Sequence, residues 1–230
     1  MTINDFILVQ YDHCFDKPNL IGYYRFSERM HQLIVKQIRS LYPHANIHLI
    51  TNRPRPSPDI ISHIQPDLEP NNYAKLRIFD LIDEPAMYLD NDILLVRPFD
   101  QDHLLGRPFN LYQKYSPENM SRLPEGQRGY PHFNTGIVWV SEPSHSLRRE
   151  MESRRDEFRI YQSFVNDEYP VSDYIEDAGG HMNLIREVNF PRSDVGECSI
   201  RDFQSLHYTG MDDKSGLFDD YFQLKGTLWS

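Results

Sequence analysis

Cysteine is scarce: Cys14 and Cys198 are the only two in 230 residues. They lie far apart and match no zinc or redox spacing. This excludes a disulfide scaffold and a cysteine-built metal site, and reads as two ordinary buried thiols in a reducing compartment. Long apolar runs are missing too. No stretch approaches the roughly 20 residues that a spanning helix needs, and the N-terminus lacks a basic segment followed by an apolar one. A soluble, cytoplasmic protein with no membrane span is expected. Positive charge is in deficit, because 34 acidic residues against 24 basic ones leave a net charge of −10. That balance repels nucleic acid and anionic membrane, so neither is expected as a partner. Glycine is thin after the first apolar run, where Asp12 to Gly22 ends in a single glycine. A glycine-rich phosphate loop is therefore excluded. No internal repeat is found.

Aromatic residues, by contrast, are plentiful: 14 Tyr, 13 Phe and 2 Trp. They argue for a folded chain with binding surfaces. One α/β domain over residues 1–230 is expected, with a mixed, mostly parallel central sheet flanked by helices. Phe6 to Tyr11 reads as the first strand. Apolar positions Phe26, Met30, Leu33, Ile34, Ile38 and Leu41 recur at helical spacing, and Pro43 ends that helix. Asn46 to Thr51 alternates as a second strand. Strand, helix and strand in this order form a βαβ unit with parallel strands. Asn52 to Asp59, with its three prolines, reads as a loop inside the domain. Asn72 caps a helix from Tyr73 to Ile82 that carries Lys75 and Arg77. Further on, Phe109 to Tyr115 reads as a strand and residues 116–131 as a polar loop, a candidate lid. Phe133-Asn134-Thr135-Gly136 leads into a strand from Ile137 to Val140, and Gly136 offers the close backbone approach that a ligand needs. Ser144 to Tyr161 is a charged helix with a solvated face, Asn166 to Ala178 an acidic helix, and Phe203 to Tyr208 a late strand delivering His207.

The stretch Ala86 to Asp100, AMYLDNDILLVRPFD, carries the most chemistry. Two short apolar runs, which read as buried strands, enclose Asp90-Asn91-Asp92. Aspartate is rarely buried without a partner. The pair is therefore either a solvated turn at a strand end or two carboxylates aimed at one divalent cation.

Three pieces line up: D-x-D at a strand end, F-N-T-G before a strand, and a C-terminal H-x-x-G followed by lysine. Together they resemble the GT-A glycosyltransferases, in particular the glycogenin and lipopolysaccharide galactosyltransferase group and capsule-type sugar transferases. The resemblance runs from about Phe6 to Lys214. It implies a Rossmann-like nucleotide-diphospho-sugar transferase fold that moves a sugar from a nucleoside diphosphate sugar, UDP-linked in the first instance, to a glycan or other hydroxyl acceptor. Position by position it makes Asp90, Asp92 and His207 ligands of Mn²⁺ or Mg²⁺. It puts Lys75 and Asn91 beside the sugar nucleotide, Lys214 on the diphosphate and Asn134 near the sugar or acceptor. Tyr11 is where a base would stack, because open α/β sheets bind nucleotides at the carboxyl ends of their strands. The chain departs from the family pattern in two places. His207-Tyr208-Thr209-Gly210-Met211-Asp212-Asp213-Lys214 has one extra residue before the lysine, and Asn166-Asp167-Glu168 stands where the family has an acidic D-Q-D segment.

An inverting reaction would use Asp167 or Glu168 as base for the acceptor hydroxyl, whereas a retaining one needs a group on the opposite face of the sugar. The same two residues also fit an acidic helix start. Two other classes stay open: a sugar-nucleotide hydrolase or nucleotidyltransferase on a similar sheet, and a non-catalytic sugar-binding module.

Overall fold

The computed structural model describes residues 3–10, 21–55, 57–66, 85–100, 109–113, 133–140, 188, 190–208 and 214–228. Strand β1 (Asp5–Val9) begins the central sheet, followed by helix α1 (Ile21–Leu41) and strands β2 (Asn46–Thr51), β3 (Ile61–Ile64) and β4 (Ala86–Leu89). Strand β5 (Ile93–Leu95) leaves this sheet, while β6 (Phe109–Gln113) and β7 (Phe133–Val140) complete it. A small second sheet joins β5 to β8 (Phe190–Pro191) and β9 (Ser205–His207), and helix α2 (Ser215–Leu228) closes the described chain.

The central sheet runs in the order β3-β2-β1-β4-β7-β6. Pairings from β3 to β4 are parallel and those of β4 with β7 and β7 with β6 are antiparallel, so the sheet is mixed with a parallel core. The expected βαβ unit is present, since β1 and β2 flank α1 in the chain and pair in parallel. Phe6, Leu8, Ile47, Leu49, Met87, Leu89, Ile137 and Trp139 alternate along their strands onto one face. There they pack in a single cluster with Ile34 and Ile38 of α1. Met30 and Leu33 of the same helix belong to a second cluster, with Leu94, Val96, Leu206, Tyr208 and the α2 residues Leu217, Tyr221 and Leu224. Helix α1 thus spans both cores and joins the two sheets.

Several boundaries differ from the sequence reading. Helix α1 starts at Ile21, ahead of Phe26, the first position of the apolar stripe read from the sequence. F-N-T-G is part of β7 instead of preceding it, because Phe133 and Asn134 pair with Gln113 and Tyr112 and the Gly136 carbonyl accepts from the Asp90 amide. Cys198 is exposed, not buried, because it sits in a surface turn beside Gly196, whose φ of 58° only glycine adopts readily. Helix α2 was not anticipated. Tyr11, Lys75, Asp167, Glu168, the 116–131 loop and the helices expected at 73–82, 144–161 and 166–178 lie outside the described residues. Among the described residues, no helix is long and apolar enough to cross a membrane.

Candidate metal centre

The strand order turns back between β1 and β4: β2 and β3 lie on one side of β1, and β4 lies on the other. In open α/β sheets such a switch leaves a crevice at the carboxyl ends of the two strands, where ligands bind. Asp90 is the first residue past β4. Its amide donates to Gly136 O of β7 at 2.7 Å, and the amide of Ile93 returns to its carbonyl at 3.2 Å. Asp90-Asn91-Asp92 is therefore a turn, and the same turn presents both carboxylates. The Asn91 side chain donates to the Val9 carbonyl at 2.9 Å, which ties the turn to the end of β1.

His207 arrives from far along the chain by strand pairing. β9 runs antiparallel to β5 with His207 opposite Ile93, and the Tyr208 amide bonds the Asp92 carbonyl at 3.1 Å. This register sets the imidazole over the turn. Its Nε2 lies 3.2 Å from Asp92 Oδ1 and 3.7 Å from Asp90 Oδ2. One donor atom from each of the three residues falls within 4.8 Å of the others.

The surroundings hold these donors in place. His207 Nδ1 sits 3.0 Å from Asn134 Oδ1, an amide oxygen that also accepts from the Gly136 amide at 2.9 Å. An amide oxygen can only accept, so Nδ1 donates to it and Nε2 is the ring nitrogen turned toward the carboxylates. Such an orienting partner on the far nitrogen is what a ligating histidine requires. Gly136 makes the approach possible. A Cβ there would stand 2.4 Å from His207 Cε1 and 2.6 Å from Nδ1. The close approach read from the sequence is thus filled by the histidine ring. Tyr88, two residues before Asp90, donates its hydroxyl to Asp90 Oδ1.

Lys214, immediately before α2, is buried, and its ammonium donates to Asp92 Oδ2 at 2.9 Å and to the Tyr208 carbonyl. Burial alone would raise the Asp92 carboxyl. The charge and hydrogen bond of His207, then those of Lys214, outweigh it and hold the group far below the usual carboxylate range. Further back, the Tyr208 hydroxyl donates to Asp220 of α2, which also takes Arg192 Nε at 2.5 Å. This contact joins the helix to the end of β9.

Of the residues named from sequence, the structure brings Asp90, Asn91, Asp92, Asn134, His207 and Lys214 together. Two carboxylates and an imidazole nitrogen form a donor set that could hold a divalent ion. Tyr88, Tyr208 and Asp220 were missed. Tyr88 carried a usable signal, since residues two apart on a strand share a face. The other two depend on α2.

No protein-family model and no curated protein matches this sequence. Solved structures do match in fold. The apo form of the glycosyltransferase GlyE of Streptococcus pneumoniae TIGR4 superposes at a TM-score of 0.61 with 13% identity, covering 96% of this chain and 64% of that one. A glycosyltransferase involved in glycosylation of the major capsid of PBCV-1 matches at 0.58 and 15%, over 95% of this chain and 98% of its own. The galactosyltransferase LgtC, in complex with donor and acceptor sugar analogs, matches at 0.56 and 14%, over 98% and 96%. This chain therefore spans about two thirds of GlyE and nearly all of the other two. The fold is the GT-A fold.

Proposed function

We propose that this chain is a metal-dependent glycosyltransferase that moves a sugar from a nucleoside diphosphate sugar, UDP-linked, to an acceptor hydroxyl. The observation that carries the reading is the convergence of Asp90, Asp92 and His207 in the switch-point crevice of a GT-A fold, with the histidine ring oriented by Asn134. Asp90, Asp92 and His207 would hold Mn²⁺ or Mg²⁺. When bound, such an ion neutralises the negative charge that develops on the leaving diphosphate as the anomeric bond breaks.

The protein's own groups do the rest. Asn134 and Gly136 keep the imidazole Nε2 on the carboxylates, and Tyr88 keeps Asp90 in place. The Lys214 ammonium donates to Asp92 and to the Tyr208 carbonyl, and its charge beside the cluster would favour the diphosphate. Lys75 is assigned to the same diphosphate, Tyr11 to the base, and Asp167 or Glu168 to the acceptor proton. Asn91 shapes the nucleotide side of the crevice through its hold on Val9.

The test is a panel of nucleoside diphosphate sugars assayed for release of the nucleoside diphosphate with Mn²⁺, with Mg²⁺ and with chelator. Release of UDP from one UDP-sugar, abolished by chelator, is the expected result. A nucleoside monophosphate or pyrophosphate product would instead assign the site to a hydrolase or nucleotidyltransferase. Binding without turnover or any response to Mn²⁺ would assign it to a sugar-binding module.

A further inference from the structure

Away from the metal centre, one edge of the central sheet carries a row of polar side chains. Among the described residues β3 is the edge strand there, and none of its four residues is fully buried: Ile61 is 47% and Ile64 49% exposed. A strand that covers so little apolar surface is easily released, so the polar contacts it makes count for more. Register puts Asp5 of β1, Asn46 and His48 of β2 and His63 of β3 on one face, opposite the face that packs on α1. There Asp5 Oδ1 accepts from the Asn46 amide at 3.0 Å and lies 2.9 Å from His48 Nε2, while His48 Nδ1 lies 3.0 Å from His63 Nε2.

An ionised carboxylate only accepts, so His48 donates through Nε2 to Asp5 and turns Nδ1 to His63. The two rings are inclined by 22° with centroids 5.3 Å apart. With the facing nitrogens at 3.0 Å, so long a centroid distance means that the rings meet edge to edge, nitrogen against nitrogen. One proton fits between those nitrogens, and a second would set N–H against N–H. The joined pair therefore carries one positive charge at most, which Asp5 balances, whereas two separate imidazoles can each take a charge.

We propose that Asp5, His48 and His63 form a one-proton clasp that fastens the edge strand β3 to the sheet at neutral pH and lets it go in acid. Among the described residues, the titratable groups set against one another here are Asp5 from β1, His48 from β2 and His63 from β3. Burial, and then the neighbouring His48, hold the His63 imidazole below its ordinary 6.5. The released strand binds one proton more than the fastened one, so the contribution of the clasp is complete above 6.5 and is lost as pH falls below it. Release would bare the edge of β2, a template for pairing with another chain. The inference does not rest on the metal-site reading.

The experiment follows hydrogen exchange of the β3 amides in the full chain at about pH 7.5 and about pH 5.5, with the β1 amides as reference and the intrinsic pH dependence of exchange divided out. Wild type is expected to lose protection in β3 by about tenfold relative to β1, the most that one proton allows over this range. His63→Gln, whose amide does not titrate and offers His48 Nδ1 either a donor or an acceptor, should show no relative loss. An equal loss in wild type and His63→Gln would overturn the proposal, and so would a wild-type loss in β3 no larger than that in β1. Nitrogen NMR of isotope-labelled histidine at neutral pH gives a check that needs no variant. His48 should be protonated at Nε2, and a His48 ring bare at Nε2 would overturn the clasp.

Discussion

At Gly136 a single missing methyl group lets His207 lie beside the carboxylates. An added Cβ would meet the ring at 2.4 Å and the Asn134 oxygen at 2.9 Å, and both neighbours belong to the same hydrogen-bonded unit. Gly136→Ala should therefore push His207 off its ligand position and weaken Mn²⁺ binding by roughly 10- to 100-fold, the range for losing a ligand's orienting contact. A titration of Mn²⁺ into the variant checks this. The role of Gly136 could not be read in the sequence, where the glycine is visible but the ring that fills its space comes from another strand. Asp90 and Asp92 were readable because carboxylates are unusual beside buried apolar runs, whereas His207 was named through the resemblance. A second prediction belongs to His31, which is buried in α1. Burial pushes its imidazole from 6.5 down to about 4, against the pull of the Glu28 carboxylate. The unfolded chain thus takes up this proton at higher pH than the folded one, so the stabilising contribution is complete above 6.5 and is lost as pH falls toward 4. The loss amounts to roughly 3 kcal/mol. Urea midpoints between pH 7 and 4.5 should fall less steeply for His31→Gln than for wild type.

At the scale of elements, the site is built where two strands part company. β4 and β5 were both readable as short buried runs, yet only the structure shows that they enter different sheets and that the turn between them is what bends Asp90 and Asp92 together. Asp90-Asn91-Asp92 is a turn, but not the solvated one of the first sequence reading: Asn91 and Asp92 are buried, and the two carboxylates group with His207. Pairing of β5 with β9 could not be inferred, because register between distant strands depends on packing that a single sequence does not display. Helix α2 did leave a trace: Leu217, Tyr221 and Leu224 stand at helical spacing, and all three are buried in the second core. Glycines at 216 and 226 and the Asp219-Asp220 pair obscure that stripe. The helix holds Lys214 in place, so weakening its packing should reach the site. Leu217→Ala should cost about 2–5 kcal/mol in stability and also weaken Mn²⁺ binding, whereas a truncation at exposed Phe222 should do neither. Thermal unfolding and metal titration of the two variants test this.

At the scale of the whole molecule, the βαβ unit follows from apolar alternation and one helical stripe, whereas the GT-A fold class was legible through the resemblance that D-x-D, F-N-T-G and H-x-x-G carry, and the switch point emerges only from the strand order. The net charge of −10 makes the chain a poor host for polyanions, yet the proposed donor carries a diphosphate. A cation at Asp90, Asp92 and His207, with Lys214 beside it, would resolve that conflict locally. The account therefore stands on Asp92, which joins the ligand cluster to the lysine. The most direct test compares nucleoside diphosphate release by wild type and Asp92→Asn with the preferred sugar nucleotide in saturating Mn²⁺. The account predicts a fall of about a hundredfold or more in the variant. Full activity in Asp92→Asn under those conditions would contradict it.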